Sequence, residues 1–393
     1  QGNFSYHNPT KLYFGKDSLN FLKEELKNYG NKVLLNYGSG SVKRNGIYDQ
    51  VVAILREARK TIVENPGVMT NPTLEKLNEG VKMARENDVD LILALGGGSV
   101  CDYSKAVAAS VFCDGDYWDM FWLKQQNPEE GQKLLPVGCI LTMAGTGSEM
   151  NAGTVITDAE HTFKVGHVFD DRLMPKFSIL NPEFTMTVPE NQMKAGIYDI
   201  MNHIMEQYFC EDSTILNDGF MEAGLKSLMI NAKKCLENPE DYTARAEMML
   251  TCTYGCNRIY SLGNSPSGWP CHGMEHALSA YYDITHGEGL AIITPRWMKH
   301  ILNDKTIDRF VKYGVNVFRI DSSLDKYEIA EKAIQATYDF FLSIGIPMHL
   351  KEVGIDESRI EEMAHHVAEN EGLENAWSPL LEKDIAEIFT ASL

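Results

Sequence analysis

Residues 90–111 read DLILALGGGSVCDYSKAVAASV. The first six form a short apolar run of strand type, Gly96-Gly97-Gly98-Ser99 follows at once, and VCDYSKAVAASV reads as a helix. A strand that feeds a glycine loop and a helix N-terminus is a ready anion site. Backbone N–H groups point outward there, and the helix dipole favours negative charge. The string is not a clean GxGxxG, because Cys101 stands where the third glycine belongs. It is not a P-loop either, because no GK[ST] follows. A plain tight turn is the bland alternative.

Two further turns extend the pattern. LLPVGCILT (134–142) runs into Met143-Ala144-Gly145-Thr146-Gly147-Ser148-Glu149, and KVLLNY (32–37) runs into Gly38-Ser39-Gly40-Ser41. Three small-residue turns at the carboxyl ends of three parallel strands predict one ligand crevice at that edge. Up to Pro189, short apolar runs, including KFSIL (176–180), alternate with amphipathic stretches such as IYDQVVAILREA (47–58) and LEKLNEGVKMARE (74–86). That is the βα rhythm of a parallel sheet. SYHNPTKLYFG (5–15) is expected to add a strand at a sheet edge. Beyond Pro189, helical patterns dominate: GFMEAGLKSLMINAKKCL, ARAEMMLTCTYGCNRIY and KYEIAEKAIQATYDFFLSIG. The expected architecture is an α/β N-terminal domain with a Rossmann-like parallel sheet (1–188, dinucleotide-binding) and an all-α C-terminal domain (189–393, metal-binding). The substrate is expected between them.

The second half holds a candidate ligand set. Asp199 and His203 are i and i+4 in AGIYDIMNHIMEQYF (195–209), which places them on one helix face roughly 6 Å apart. His272 opens WPCHGMEHALSAYYDITHGEGL (269–290), and His286 falls in its exit turn before Gly287. One carboxylate with three imidazoles suits Zn²⁺ or Fe²⁺ better than Ca²⁺ or Mg²⁺. Such an ion keeps positive charge and acts as a Lewis acid. Each histidine alone is more simply a satisfied core or surface residue. Cys271 adjoins His272, but neighbours on a helix point roughly 100° apart. His272-Gly273-Met274-Glu275-His276 also matches HxxEH, in which both histidines would bind zinc and Glu275 would be the base of a peptidase.

The ordered set GGGSVCDYSKA (96–106), TMAGTGSEMN (142–151), AGIYDIMNHIMEQ (195–207) and HGMEHALSAYYDITHGEGLAIITP (272–295) resembles the iron-containing (group III) alcohol dehydrogenases. The resemblance runs from KLYFG (11–15) to LEKDIAEIF (381–389). It implies a dehydroquinate synthase-like architecture and a metal held by Asp199, His203, His272 and His286. It also implies hydride transfer between a nicotinamide nucleotide and a small primary alcohol or aldehyde. A polyol or glycerol-type dehydrogenase of the same fold is the alternative. Cofactor contacts are implied for Gly38, Ser39, Ser41, Gly96, Gly97, Gly98, Ser99, Asp102, Thr142, Thr146 and Lys164. A Cβ at Gly97 or Gly98 is expected to crowd the pyrophosphate. His276, one turn beyond His272, is assigned to proton relay or cofactor contact, with a supporting contact to the ligands as its alternative.

YGSGSVKRNG (37–46) and DGDYWDMFW (114–122) look most like the NADPH-dependent butanol dehydrogenase and aldehyde reductase branch. An acid at the end of an early strand accepts the ribose 2′-OH and repels a 2′-phosphate. NAD-preferring relatives carry Asp where this chain has Gly38, and Lys43 and Arg44 follow. NADP(H) is therefore expected over NAD(H).

Composition fits a soluble enzyme. Lys+Arg 36 against Asp+Glu 55 gives −19, which argues against nucleic-acid or acidic-membrane partners. No run of 18 apolar residues and no signal peptide are found, so a cytoplasmic location is expected. Eight cysteines without a CxxC read as reduced thiols. A homodimer is expected from the family.

Overall fold

The computed structural model describes residues 1–393. In chain order the first part runs β1 (Lys11–Phe14), α1 (Leu22–Leu26), β2 (Lys32–Tyr37), α2 (Ser41–Arg44), α3 (Ile47–Glu57), β3 (Thr61–Asn65), α4 (Leu74–Glu86), β4 (Leu91–Gly96), α5 (Gly98–Ser110), β5 (Val137–Leu141), β6 (Gly153–Asp158), β7 (Phe163–Val168) and β8 (Phe177–Leu180). The remainder is helical: α6 (Glu190–Tyr208), α7 (Ile215–Glu237), α8 (Tyr242–Cys256), α9 (Pro270–Tyr282), α10 (His286–Ile301), α11 (Ile307–Phe318), α12 (Lys326–Ser343), α13 (Ile360–Asn370) and α14 (Glu382–Ala391). No helix is long and apolar enough to cross a membrane.

Two compact units result. The α/β unit comprises His7–Pro189 and Pro239–Asn257; the helical unit comprises Gln1–Tyr6, Glu190–Asn238 and Arg258–Leu393. The fold class is as expected, an α/β unit and an all-α unit. One segment differs from the expected boundary at 188/189. Helix α8 lies far beyond it in sequence yet belongs with the sheet. Its Thr253 hydroxyl donates to Glu149 Oε1 at 2.6 Å, and a Cβ on Gly147 would come within 2.4 Å of Cys256 Cβ. Long-range packing of this kind leaves no mark in helical periodicity.

The main sheet has the order β1-β8-β5-β4-β2-β3, and every neighbouring pair is parallel. The N-terminal strand does sit at an edge, against β8. From β2 the chain moves outward to β3, then returns to place β4 on the other side, so the winding reverses between β2 and β4. A crevice opens at such a switch point. Both sheet faces are buried, which explains the continuous apolar runs. Leu34, Ile92, Ala94 and Cys139 pack on one face with α4 and α5; Val33, Leu35, Leu93 and Ile140 pack on the other with α3. An antiparallel pair, β6 and β7, stands outside this sheet.

A buried polar chain locks α5 onto the sheet. Asn65 Nδ2 donates to Asn36 Oδ1 at 3.0 Å and to the Tyr103 hydroxyl at 2.9 Å, and Asn36 Nδ2 donates to Ser104 Oγ at 2.9 Å. Removing one member strands its partners away from water. Asn36→Leu is expected to lower stability by about 1–3 kcal/mol. Denaturant unfolding of the α/β unit measures this, and an unchanged midpoint would contradict it.

Candidate metal centre and glycine-turn edge

Helix α6 carries buried Asp199 and, one turn on, His203, whose side chain is 13% exposed. Pro270 stands at the start of α9, where its missing N–H costs nothing, and His272 follows in the first turn. Helix α9 ends at Asp283, which is left-handed (φ 50°), and extended Thr285 restarts the chain. His286 is therefore the first residue of α10, not part of an exit turn. Gly287 permits that start: a Cβ there would lie 2.1 Å from the Ala195 carbonyl oxygen of α6.

The four side chains converge. Asp199 Oδ1 lies 3.3 Å from His203 Nδ1, 3.4 Å from His272 Nε2 and 3.4 Å from His286 Nε2. Ligand atoms of Asp199, His272 and His286 all lie within 4.8 Å of one another, and His203 joins this trio through Asp199. Asp199 Oδ1, His203 Nδ1 and His272 Nε2 are buried and have no hydrogen-bond partner. Burial drives the Asp199 pKa up, but the charges of His203 and His286 outweigh it and hold the carboxyl well below its usual range. Burial pushes His203 down to about 4. For His272, burial also opposes the charged form, yet the Glu206 and Asp199 carboxylates raise it to about 10. Neighbouring imidazoles displaced in opposite directions mark a group that shares charge.

Two glutamates stand behind this cluster. Glu206 Oε2 accepts from His272 Nδ1, and its Oε1 accepts the backbone N–H groups of Cys271 (2.7 Å) and His272 (3.1 Å). Glu275 Oε2 accepts from His286 Nδ1, and its Oε1 accepts from the Ser279 hydroxyl. Both glutamates are fully buried. Each acceptor fixes its imidazole in the Nδ1–H form, with Nε2 turned toward Asp199. Of the two, the sequence reading marks only Glu275, and as the peptidase base of HxxEH rather than as this acceptor. Glu206 follows Asp199 by seven residues and His203 by three, so it shares their helix face, and that spacing is the signal that marks it.

Other readings fare less well. Glu275 is committed to His286 and Ser279, so it is not presented to water as a peptidase base. His276 Nδ1 lies 3.2 Å from Glu371 Oε1, and its ring stacks 6.4 Å from that of His286. It stands beside the cluster rather than in it. Burial pushes the Cys271 thiol well up, so it stays protonated. All eight cysteines are free.

In the α/β unit, the three turns end β2, β4 and β5, which are adjacent in the sheet. Gly96 closes β4, Gly97 precedes α5, and Gly98 and Ser99 begin it without a side-chain cap. Thr142 N–H donates to the Gly96 carbonyl at 2.9 Å. A Cβ on Gly98 would lie 2.2 Å from Thr146 Oγ1. The neighbouring turn thus demands glycine at 98 whatever ligand is bound, a cause distinct from crowding of a pyrophosphate. Asp102 is turned inward: Oδ1 accepts from Ser148 Oγ at 2.5 Å and Oδ2 from Val155 N–H at 2.9 Å. Its visible work is to tie α5 to β6 and to the 142–149 turn. Buried Lys105 donates to the carbonyls of Ser148 (2.9 Å) and Asn151 (3.0 Å), and burial lowers its pKa. Lys164 lies on β7, outside the three turns, with its ammonium on Asn71 Oδ1 at 2.8 Å. At the β2 end, Gly38, Ser39 and Gly40 lead to Ser41, the first residue of α2, and Lys43 Nζ sits 4.7 Å from the Tyr48 ring centroid.

Comparison with known proteins places this geometry. Residues 9–182 match the model of the iron-containing alcohol dehydrogenases, and residues 193–393 match that of the Fe-containing alcohol dehydrogenase family C-terminal domain. The chain belongs to the iron-containing alcohol dehydrogenase family. It is accordingly an oxidoreductase. It is 47% identical to NADH-dependent butanol dehydrogenase A of Clostridium acetobutylicum, over 99% of each chain. It is 34% identical to the NADPH-dependent aldehyde reductase YqhD of Escherichia coli, over 94% of this chain and 93% of that one. The crystal structure of NADH-dependent butanol dehydrogenase A from Thermotoga maritima superposes with a TM-score of 0.93 at 36% identity, covering 100% of this chain and 98% of the other.

The contact between Gly98 and Thr146 is open to a double-mutant cycle. Gly98→Ala is expected to cost about 1–3 kcal/mol through overpacking. In a Thr146→Ala background, which removes the two nearest atoms, the cost should shrink by roughly 0.5 kcal/mol or more. Additive effects in thermal unfolding would show that the two turns do not touch.

Proposed function

We propose that this protein reduces small primary aldehydes, and oxidises the corresponding alcohols, by hydride exchange with a nicotinamide nucleotide. One Fe²⁺ or Zn²⁺ would be held by Asp199, His203, His272 and His286. The observation that carries this reading is the convergence of three buried, unpartnered polar atoms, Asp199 Oδ1, His203 Nδ1 and His272 Nε2. Such atoms are costly without a partner, and a divalent cation satisfies all of them together. When bound, the cation supplies a Lewis acid for the substrate oxygen, and the nicotinamide gives or takes the hydride.

The protein's own groups orient and balance charge. Glu206 and Glu275 keep a proton on Nδ1 of His272 and His286, so that both Nε2 atoms face inward. Asp199 contributes the single negative charge of the set. His276 Nδ1 lies 3.2 Å from Glu371 Oε1, whose side chain is 17% exposed, and this pair is assigned to proton relay. Backbone N–H groups of Gly97, Gly98 and Ser99 at the start of α5 suit the pyrophosphate. A cytoplasmic homodimer is inferred from the family.

For the cofactor we propose NADP(H). Gly38, Ser39 and Ser41 offer room and hydroxyls, no acid stands in the turn, and exposed Lys43 and Arg44 follow. NAD(H) is the second reading, favoured by the name of the 47%-identical relative. Comparing kcat/KM for NADPH and NADH with one aldehyde separates them. Gly38→Asp is expected to reverse the preference; equal or better use of NADH by the unaltered protein would refute it.

The metal reading has its own test. His286→Ala is expected to remove most of the metal found by elemental analysis, and most turnover, with an unchanged circular dichroism spectrum. Glu206→Ala, which touches no substrate, should weaken metal affinity by roughly 10–100-fold. Full activity after verified removal of metal would sink the proposal.

A further inference from the structure

Trp269 breaks two local rules. It is 40% exposed, although indole carries a large apolar surface. Its φ and ψ are both 51°, a left-handed conformation that bulky side chains rarely adopt. Pro270 follows it, and a proline disfavours the right-handed helical region for the residue before it. Gly268, with φ 90°, is left-handed as well.

Packing on two sides maintains this turn. A Cβ on Gly268 would come within 2.8 Å of Ala376 Cα, and Trp377 N–H donates to the Ser267 carbonyl at 3.1 Å. Gly273 N–H donates to the Trp269 carbonyl at 2.9 Å. Strain held in place by its surroundings is typical of functional positions. Here its product is the location of one ring. The indole meets the His203 ring edge-on at 5.9 Å and the His272 ring edge-on at 5.5 Å between centroids.

We propose that Trp269 determines substrate specificity. Its exposed indole forms an apolar wall beside His203 and His272, along which the alkyl chain of the aldehyde or alcohol lies. This rests on the metal and hydride reading given above. An indole face receives methylene groups through buried area and has no array of donors and acceptors for successive hydroxyls. The wall therefore favours unbranched alkyl substrates over polyhydroxylated ones of equal length.

The test uses the metal-loaded full chain with Trp269→Ala and Trp269→Phe. The ratio of kcat/KM for butanal over acetaldehyde is expected to fall roughly tenfold in the alanine variant. The phenylalanine variant should keep most of the ratio. Calorimetric affinity for 1-hexanol relative to ethanol, measured without nicotinamide, should fall in parallel. Metal content should stay that of the unaltered protein. An unchanged chain-length profile with metal still bound overturns the role of Trp269 alone. Metal loss in the alanine variant also overturns it, because the ring would then support the ligands instead of the substrate. Absence of metal from the unaltered protein would instead sink the underlying reading.

Discussion

A carboxylate deep in a helical core is tolerated only where its charge is matched, and Glu206 and Glu275 are matched by imidazole Nδ1 atoms. That pairing orders the helical unit. Glu206 on α6 reaches the first turn of α9, receiving two backbone N–H groups that would otherwise lack acceptors. Glu275 on α9 reaches the first residue of α10. Three helices are thus joined through two carboxylate–imidazole contacts, and each contact turns an Nε2 atom toward Asp199. The helix ends and the ligand directions have one common cause. It follows that the unpartnered His272 Nε2 cannot relieve its isolation by rotating outward, because rotation would break the contact with Glu206 behind it.

The α/β unit reaches a similar rigidity by other means. Its glycine turns are adjacent because the winding reverses between β2 and β4. They are kept at contact distance by the lack of a side chain at Gly98 and by the inward-facing Asp102 and Lys105, which draw the 142–151 segment onto α5. Polar residues that a motif assigns to a ligand can be taken up by the scaffold, as Asp102 is here.

Much of this was legible from residues alone. Short apolar runs gave away β2, β4, β5 and β8, because strands buried on both faces leave little room for polar residues. The i, i+4 spacing of Asp199 and His203 located a helix face. What escaped shares a physical character. Glu206 looks like any solvated helix glutamate until tertiary structure buries it, and Glu275, marked only by the HxxEH string, serves His286 instead. The β6–β7 pair lies outside the sheet whose rhythm organised the reading. The glycine at 98 answers to Thr146, 48 positions away in sequence, and no local rule reveals such a neighbour. The placement of His286 at a helix start depends on left-handed Asp283, a residue type that tolerates this conformation without announcing it.

The return of α8 to the sheet bears on how the chain is made. A ribosome releases β1 to β8 by residue 180, yet the α/β unit is not whole until residue 257 has emerged. Through that interval the segment containing Gly147 and Glu149 is held by α5 without α8, and the 190–238 part of the helical unit must be accommodated as a long excursion. The two units therefore cannot mature strictly one after the other, as domains encoded in succession do. A chain halted near residue 189 would carry all the strands and still lack the share of support that α8 gives to one of its three turns.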